Sequence, residues 1–185
     1  MNPHLIKKIS KLMSWGLRHK PEELGVELSP EGWTPVQSML SAIQQRYPEV
    51  VLGDIHQIVL QNDKKRFVLS DDQSRIRAAQ GHSVTVNLGY EAIQPPDLLF
   101  HGTAKRFLES IAEEGLQKRS RHHVHLSKNV QTARQVGSRH GQVVVLEVDA
   151  ERMQRDGFAF FKSDNGVWLT DSVPSAYIMN LSDYL

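Results

Sequence analysis

Between positions 119 and 127 the chain reads RSRHHVHLS: two arginines, then three histidines within four residues, then a hydroxyl. Histidine exchanges protons near neutral pH and is a common metal ligand, whereas arginine presents a fixed cationic fork that matches phosphate. The stretch therefore offers metal ligation, acid–base chemistry or phosphate binding. Metal ligation needs more than it supplies: His123 and His125 give two ligands, but the segment has no Cys, Asp or Glu and the chain has no HExxH pair. A strand period of two sorts the residues better. It puts Arg121, His123, His125 and Ser127 on one face and His122, Val124 and Leu126 on the other. Val124 and Leu126 then face a core, and the polar row lines a surface or cleft.

A second stretch has the same character. FHGT reads as a strand ending in His101, Gly102 and Thr103, where glycine allows close approach to the backbone and threonine offers a hydroxyl and an amide at a helix start. Two strands in one half of the chain, each presenting histidine and a hydroxyl, suit a nucleotide pocket. In the other half, WGLRHKP sets Arg18 beside His19, KKRFVL carries Arg66, and IRAAQGHSV carries Arg77. Each has a plain reading when taken alone. A cation at a helix C-terminus is stabilised by the helix dipole, and a strand arginine is usually solvated. As a set of Arg and His without adjacent carboxylates, they suit a phosphate monoester or diester.

These residues need elements to position them. Leu5, Ile9, Leu12, Met13 and Leu17 fall at helical spacing, so the first segment is an amphipathic helix that Pro21 stops, with Arg18 and His19 in or just after its last turn. Thr34 is the expected N-cap of a second helix, with Pro35 at its first position. A third helix is expected from about Asp54 to Gln61. KKRFVL and SRIRAA are short strands flanking the turn-rich SDDQ. Three helices followed by a hairpin is the element order of a winged helix.

AIQPPDLL holds the one Pro-Pro of the chain and marks the expected boundary, giving lobes 1–92 and 97–185. Beyond it, LLFHGT, HVHLS and QVVVLEVDA read as strands. AKRFLESIAEEGL reads as a helix ended at Gly115, and VQTARQVGSRHG as one that runs out at a glycine. FAFFKSDNGVWLTD reads as a hairpin turning at Asp164-Asn165-Gly166. The class is α+β.

Composition narrows the partners. The 185 residues are 39% hydrophobic and 23% charged, with no cysteine, which excludes disulfides and Cys-based zinc sites. Net charge is +1, and the two halves are equally balanced, so a broad polyanion-binding surface is disfavoured while a focused basic pocket is not. No apolar run approaches ~18 residues and the N-terminus lacks a signal-peptide core, so a cytoplasmic protein without membrane contact is expected.

Taken in order, LRHKP, KKRFVL, IRAAQGHSV, FHGT, SRHHVHLS, SRHG and NGVWLTDSVP make the chain resemble the RNA 2′-phosphotransferase family (KptA type) over nearly its whole length. The resemblance implies an N-terminal winged-helix RNA lobe and a C-terminal ADP-ribosyltransferase-like lobe that binds NAD. It implies removal of an internal RNA 2′-phosphate in two steps. The phosphate displaces nicotinamide from NAD to leave 2′-phospho-ADP-ribosylated RNA. The ribose 2-hydroxyl then attacks phosphorus, releasing RNA with a 2′-hydroxyl and ADP-ribose cyclic phosphate. NAD is consumed, no metal is expected, and the partner is a tRNA-like RNA bearing the 2′-phosphate, with the protein acting as a monomer.

By the same resemblance, the catalytic set is Arg18, His19, Arg66 and Arg121. Arg119 is the rival for the last place. The NAD pocket is implied to include His101, Gly102, Thr103, His125 and Ser127, with Arg139 and His140 after them. In such a set the arginines stabilise charge on phosphorus, and His19 is the member able to act as general acid–base. Phe100 stands where the family commonly has tyrosine, which puts one hydrogen bond in doubt. Two other activities share these features: an ADP-ribosyltransferase that caps phosphorylated nucleic-acid ends, and a winged-helix nucleic-acid binder without catalysis.

Overall fold

Asn2 starts the first helix by accepting the His4 amide at 2.8 Å on its side-chain oxygen. Helix α1 (Pro3–Arg18) then runs for 16 residues and buries Ile9, Met13 and Leu17 completely, as its apolar spacing requires. The computed structural model describes residues 1–185 and divides into two compact units, Met1–Gly89 and Tyr90–Leu185. No helix is long and apolar enough to cross a membrane. The fold is mixed, with seven α-helices and several small antiparallel sheets.

In the first unit, Pro21 does more than stop α1. It opens a one-turn helix α2 (Pro21–Leu24), occupying a position where its missing N–H costs nothing. A Cβ on Gly16 of α1 would lie 2.2 Å from Leu24 Cδ2, so glycine is what lets α2 close on α1. Thr34 is not a helix cap. Thr34 and Pro35 form the short strand β1 (Thr34–Pro35), paired antiparallel with Ile76 and Arg75. Helix α3 (Val36–Gln44) starts after it, with the Val36 amide donating to Ser74 O at 2.9 Å. The cap motif lost to a sheet contact distant in sequence. Helix α4 (Leu52–Leu60) begins two residues before the expected Asp54, whose carboxylate accepts the Val51 amide at 2.9 Å. Strands β2 (Phe67–Leu69) and β3 (Arg75–Ala78) form the expected hairpin, and the sheet order is β1-β3-β2.

The second unit is built on β4 (Leu98–Ala104). After it come α5 (Leu108–Glu114), reached through a 3-10 turn over 105–107, β5 (Leu116–Gln117), β6 (Val124–Leu126) and α6 (Val130–Gly137). Strand β7 (Val143–Asp149) pairs antiparallel with β4 along its full length. The chain finishes with α7 (Ala150–Arg155), β8 (Phe160–Lys162), β9 (Trp168–Thr170) and β10 (Ser172–Val173). Strands β6, β9 and β8 form one sheet, and β5 pairs with β10. A bridge between Phe100 and Ser127 joins β4 to the end of β6, with amide–carbonyl distances of 2.7 and 2.8 Å. The hairpin turn lies where expected: Gly166 takes φ +82° and its amide donates to Ser163 O.

Two expectations for this unit need correcting. Strand β6 covers only 124–126, so residues 119–123 are turn and bend, and Arg119 has φ +54°. Strand alternation therefore does not govern Arg121 or His123, although Val124 and Leu126 are buried as the pattern required. Thr103 does not start a helix either. It lies inside β4 opposite Val144 and is buried.

Candidate active site

In the first unit, three candidate residues lie on segments fixed by main-chain hydrogen bonds. Arg18 ends α1 and is half-buried. Its carbonyl, left without a helical partner, accepts the amides of Ser83 at 2.8 Å and Val84 at 3.3 Å. His19 is the C-cap, its amide bonded to Trp15 O at 3.0 Å, and its Nδ1 lies 2.8 Å from the Ser83 hydroxyl. Arg66 precedes β2 and is half-buried. Its amide donates to Asn62 Oδ1 at 3.2 Å, and its carbonyl accepts the Ala79 amide at 2.8 Å. Asn62 in turn donates to Ser10 of α1 at 3.4 Å, linking the Arg66 loop to the helix that ends in Arg18.

Arg77 serves the fold. Its guanidinium lies over the Trp33 ring, 4.6 Å from the centroid, and donates to Leu88 O at 3.3 Å.

In the second unit, His101 and His125 stand together at the β4–β6 junction. A carbonyl can only accept, so His101 Nδ1–H donates to His125 O at 2.9 Å. Burial lowers the His101 pKa below 6.5, with His140 adding a smaller effect in the same direction. His101 is therefore neutral near pH 7 and presents Nε2 as an acceptor. Arg121 Nη1 lies 3.4 Å from His125 Nδ1, and a guanidinium can only donate. His125 thus uses Nδ1 as an acceptor. The two rings carry their nitrogens in opposite senses.

Arg119 and Arg121 differ sharply. Arg119 lies 3.7 Å from Glu114 and 3.4 Å from the Ser110 hydroxyl on α5, a carboxylate-paired surface cation. Arg121 meets a histidine instead, and partial desolvation alone lowers its pKa. An exposed guanidinium that meets a histidine rather than a carboxylate remains able to take an incoming anion.

The remaining residues have mixed placements. Ser127 is held in a tight turn that starts α6: its hydroxyl donates to Asn129 O at 2.9 Å and accepts the Asn129 amide at 3.1 Å. A Cβ on Gly102 would lie 1.6 Å from Ala133 O and 2.8 Å from Gly137 N of α6. Glycine at 102 is thus required by the helix packed on the strand. Arg139 and His140 lie exposed on the 3-10 turn that follows α6, and His140 is close enough to influence His101. His123 leaves the histidine row, its ring centroid 5.5 Å from that of Phe161. No group of three His, Cys, Asp or Glu side chains is placed to hold a metal ion. Ser83 and Asn62, which hold His19 and Arg66, were hidden in the sequence. The GHSV motif was visible there, but no local period shows that its serine meets a histidine 64 residues away.

The family model described as "RNA 2'-phosphotransferase, Tpt1 / KptA family" matches residues 5–172. Among similar proteins, one from Pseudomonas fluorescens named "Probable RNA 2'-phosphotransferase" is 50% identical over 182 residues, covering 98% of this chain and all of the relative. One of the same name from Burkholderia lata is 47% identical, covering 94% of this chain and 90% of its own length. Another from Herpetosiphon aurantiacus is 48% identical, covering 96% and 98%. With a match of this extent over both units, the chain belongs to the RNA 2′-phosphotransferase family.

Proposed function

We propose that the protein removes an internal 2′-phosphate from RNA with NAD as co-substrate. Its lobes in this reading are an N-terminal winged helix and a C-terminal ADP-ribosyltransferase-like domain. The order α1, α3, α4 and then the β2–β3 hairpin supports the first. The paired strands β4–β7, bridged to the β6-β9-β8 sheet with α6 against β4, support the second. The observation that carries the reading is the guanidinium of Arg121, set against His125 instead of a carboxylate.

His101 supplies an acceptor that suits a ribose of NAD. With Nδ1 engaged, His101 offers Nε2 to a ribose hydroxyl, which is a donor. NAD supplies the ribose carbon from which nicotinamide departs. The chain's own residues bind and orient: Arg18, Arg66 and Arg121 hold the RNA phosphate and stabilise the charge that develops on phosphorus. His19 handles the protons of transesterification, removing one from the attacking ribose hydroxyl and returning one to the departing RNA 2′-oxygen. The intermediate between the two steps is 2′-phospho-ADP-ribosylated RNA.

The test is incubation of the protein with NAD and an RNA carrying one internal 2′-phosphate. Release of nicotinamide, ADP-ribose cyclic phosphate and RNA with a 2′-hydroxyl is expected. Folded protein that releases none of them overturns the proposal. ADP-ribosylated phosphate ends without the cyclic phosphate would identify a capping transferase instead.

A further inference from the structure

We infer that Ser83 is the positioning residue of His19, selecting the orientation of its imidazole and following its change of protonation. The inference rests on the reading that His19 is the acid–base of the proposed reaction. Ser83 contacts the Arg18–His19 pair through both its amide and its hydroxyl. Its amide donates to Arg18 O at 2.8 Å, which fixes the serine main chain against the end of α1. Its hydroxyl lies 2.8 Å from His19 Nδ1 and 3.5 Å from Arg18 O. The hydroxyl thus reaches both an imidazole nitrogen and a carbonyl.

That pairing has a chemical consequence. When His19 lacks a proton on Nδ1, the hydroxyl donates to it, and the proton of the neutral ring sits on Nε2 as a donor. When Nδ1 is protonated, it donates to the hydroxyl oxygen, whose own proton turns to the Arg18 carbonyl. Both states keep a hydrogen bond without moving a heavy atom, because a hydroxyl can donate or accept. A group that must take one proton and return one gains from a partner that satisfies both states. A carboxylate there would only accept, and so would favour the charged ring. The main-chain amide of Ser83 tethers the arrangement independently of the side chain, so removing the hydroxyl leaves the loop anchored.

The experiment compares Ser83→Ala and Ser83→Thr with wild type. Nitrogen chemical shifts of the His19 ring are recorded across the pH range, alongside kcat and KM for NAD and the 2′-phosphorylated RNA. Wild type should show a hydrogen-bonded Nδ1 on His19. Ser83→Ala should lose that signature and lower kcat about tenfold, a part of the 10²–10⁴ that a placed acid–base supplies, with KM little changed. Ser83→Thr, which keeps the hydroxyl, should restore both. Unaltered His19 shifts or an unaltered kcat in folded Ser83→Ala overturns the inference. If Ser83→Ala does not fold, the wild-type spectrum decides, since a His19 Nδ1 without a hydrogen bond overturns it equally. Failure of the wild-type protein to release nicotinamide would refute the proposed function, while the ring shifts would still report on the Ser83–His19 contact.

Discussion

His101 donates its Nδ1 proton to the main-chain carbonyl of His125 at 2.9 Å, so one candidate residue fixes its tautomer on the backbone of another. The side chain of His125 is then aimed at Arg121. Positions 101, 121 and 125, distant or merely near in sequence, become one connected group at the β4–β6 junction.

This connection makes stability depend on pH. Burial keeps the folded-state pKa of His101 below 6.5, so below that value the unfolded chain binds more protons than the native one. The contribution of His101 is therefore complete above pH 6.5 and is lost as pH falls from there toward its depressed native value. Urea unfolding at about pH 7.5 and about pH 5.5 should show wild type losing more stability than His101→Gln between the two. Equal losses would contradict a neutral, buried His101.

The two arginines of RSRHHVHLS should separate cleanly. Arg121→Ala is expected to lower the overall rate about a hundredfold and to accumulate ADP-ribosylated RNA, as loss of charge stabilisation at the phosphorus step requires. Arg119→Ala breaks exposed contacts with Glu114 and the Ser110 hydroxyl, and should change activity and stability by no more than about 1 kcal/mol. Gel analysis of the RNA at early times reads both. Arg121→Ala failing to bind NAD would move that residue's role to the first step.

Glycine substitutions test the packing beneath the site. Gly102→Ala places a methyl 1.6 Å from the Ala133 carbonyl, a backbone atom that can yield only if α6 shifts. Its cost should reach about 3 kcal/mol or more, at the top of the range for overpacking. Gly53→Ala at an exposed position of α4 meets nothing within 4 Å and should be neutral or stabilising by up to about 1 kcal/mol. Denaturant midpoints compare them directly.

At the turn of the β2–β3 hairpin, Asp72 accepts from the Ser70 hydroxyl at 2.6 Å and from the amide and hydroxyl of Ser74 at 3.1 and 2.8 Å. These bonds, the Ser70 one foremost, lower its pKa from 3.8 to about 2. The stability it confers is present above pH 3.8 and is lost as pH falls toward about 2. Asp72→Asn should flatten the acid side of the melting-temperature profile in that window. An unchanged profile would refute the role.

Local spacing carried much of the fold. The buried positions of α1, the β2–β3 hairpin and the Asp164-Asn165-Gly166 turn are all short-range patterns, and they survive folding because no distant contact opposes them. Thr34 shows the limit. Its cap motif was sound locally, but pairing with Ile76 drew it into a strand. Arg121 shows another: extending the alternation of 124–126 back to it was unjustified, yet the turn at 119–123 still delivers it to His125. Gly102 could not have been assigned from the sequence, because the atoms that require it belong to a helix about 30 residues later. The site residues themselves were named by family resemblance, since no single motif separates a functional arginine from a solvated one.

Only His19 and Lys20 connect α1 to α2, and the amides of both are bonded to Trp15 O, at 3.0 and 3.2 Å. Lys20 O receives the Leu24 amide at 3.1 Å, and Gly16 lets Leu24 sit against α1. A link this short and clamped at both ends has little conformational freedom left to lose. The entropy of ordering His19 is therefore lost on folding, and in the proposed reaction encounter with the RNA phosphate need not repeat it. Substitutions that loosen the α1–α2 contact would slow the chemistry without touching a single reacting group.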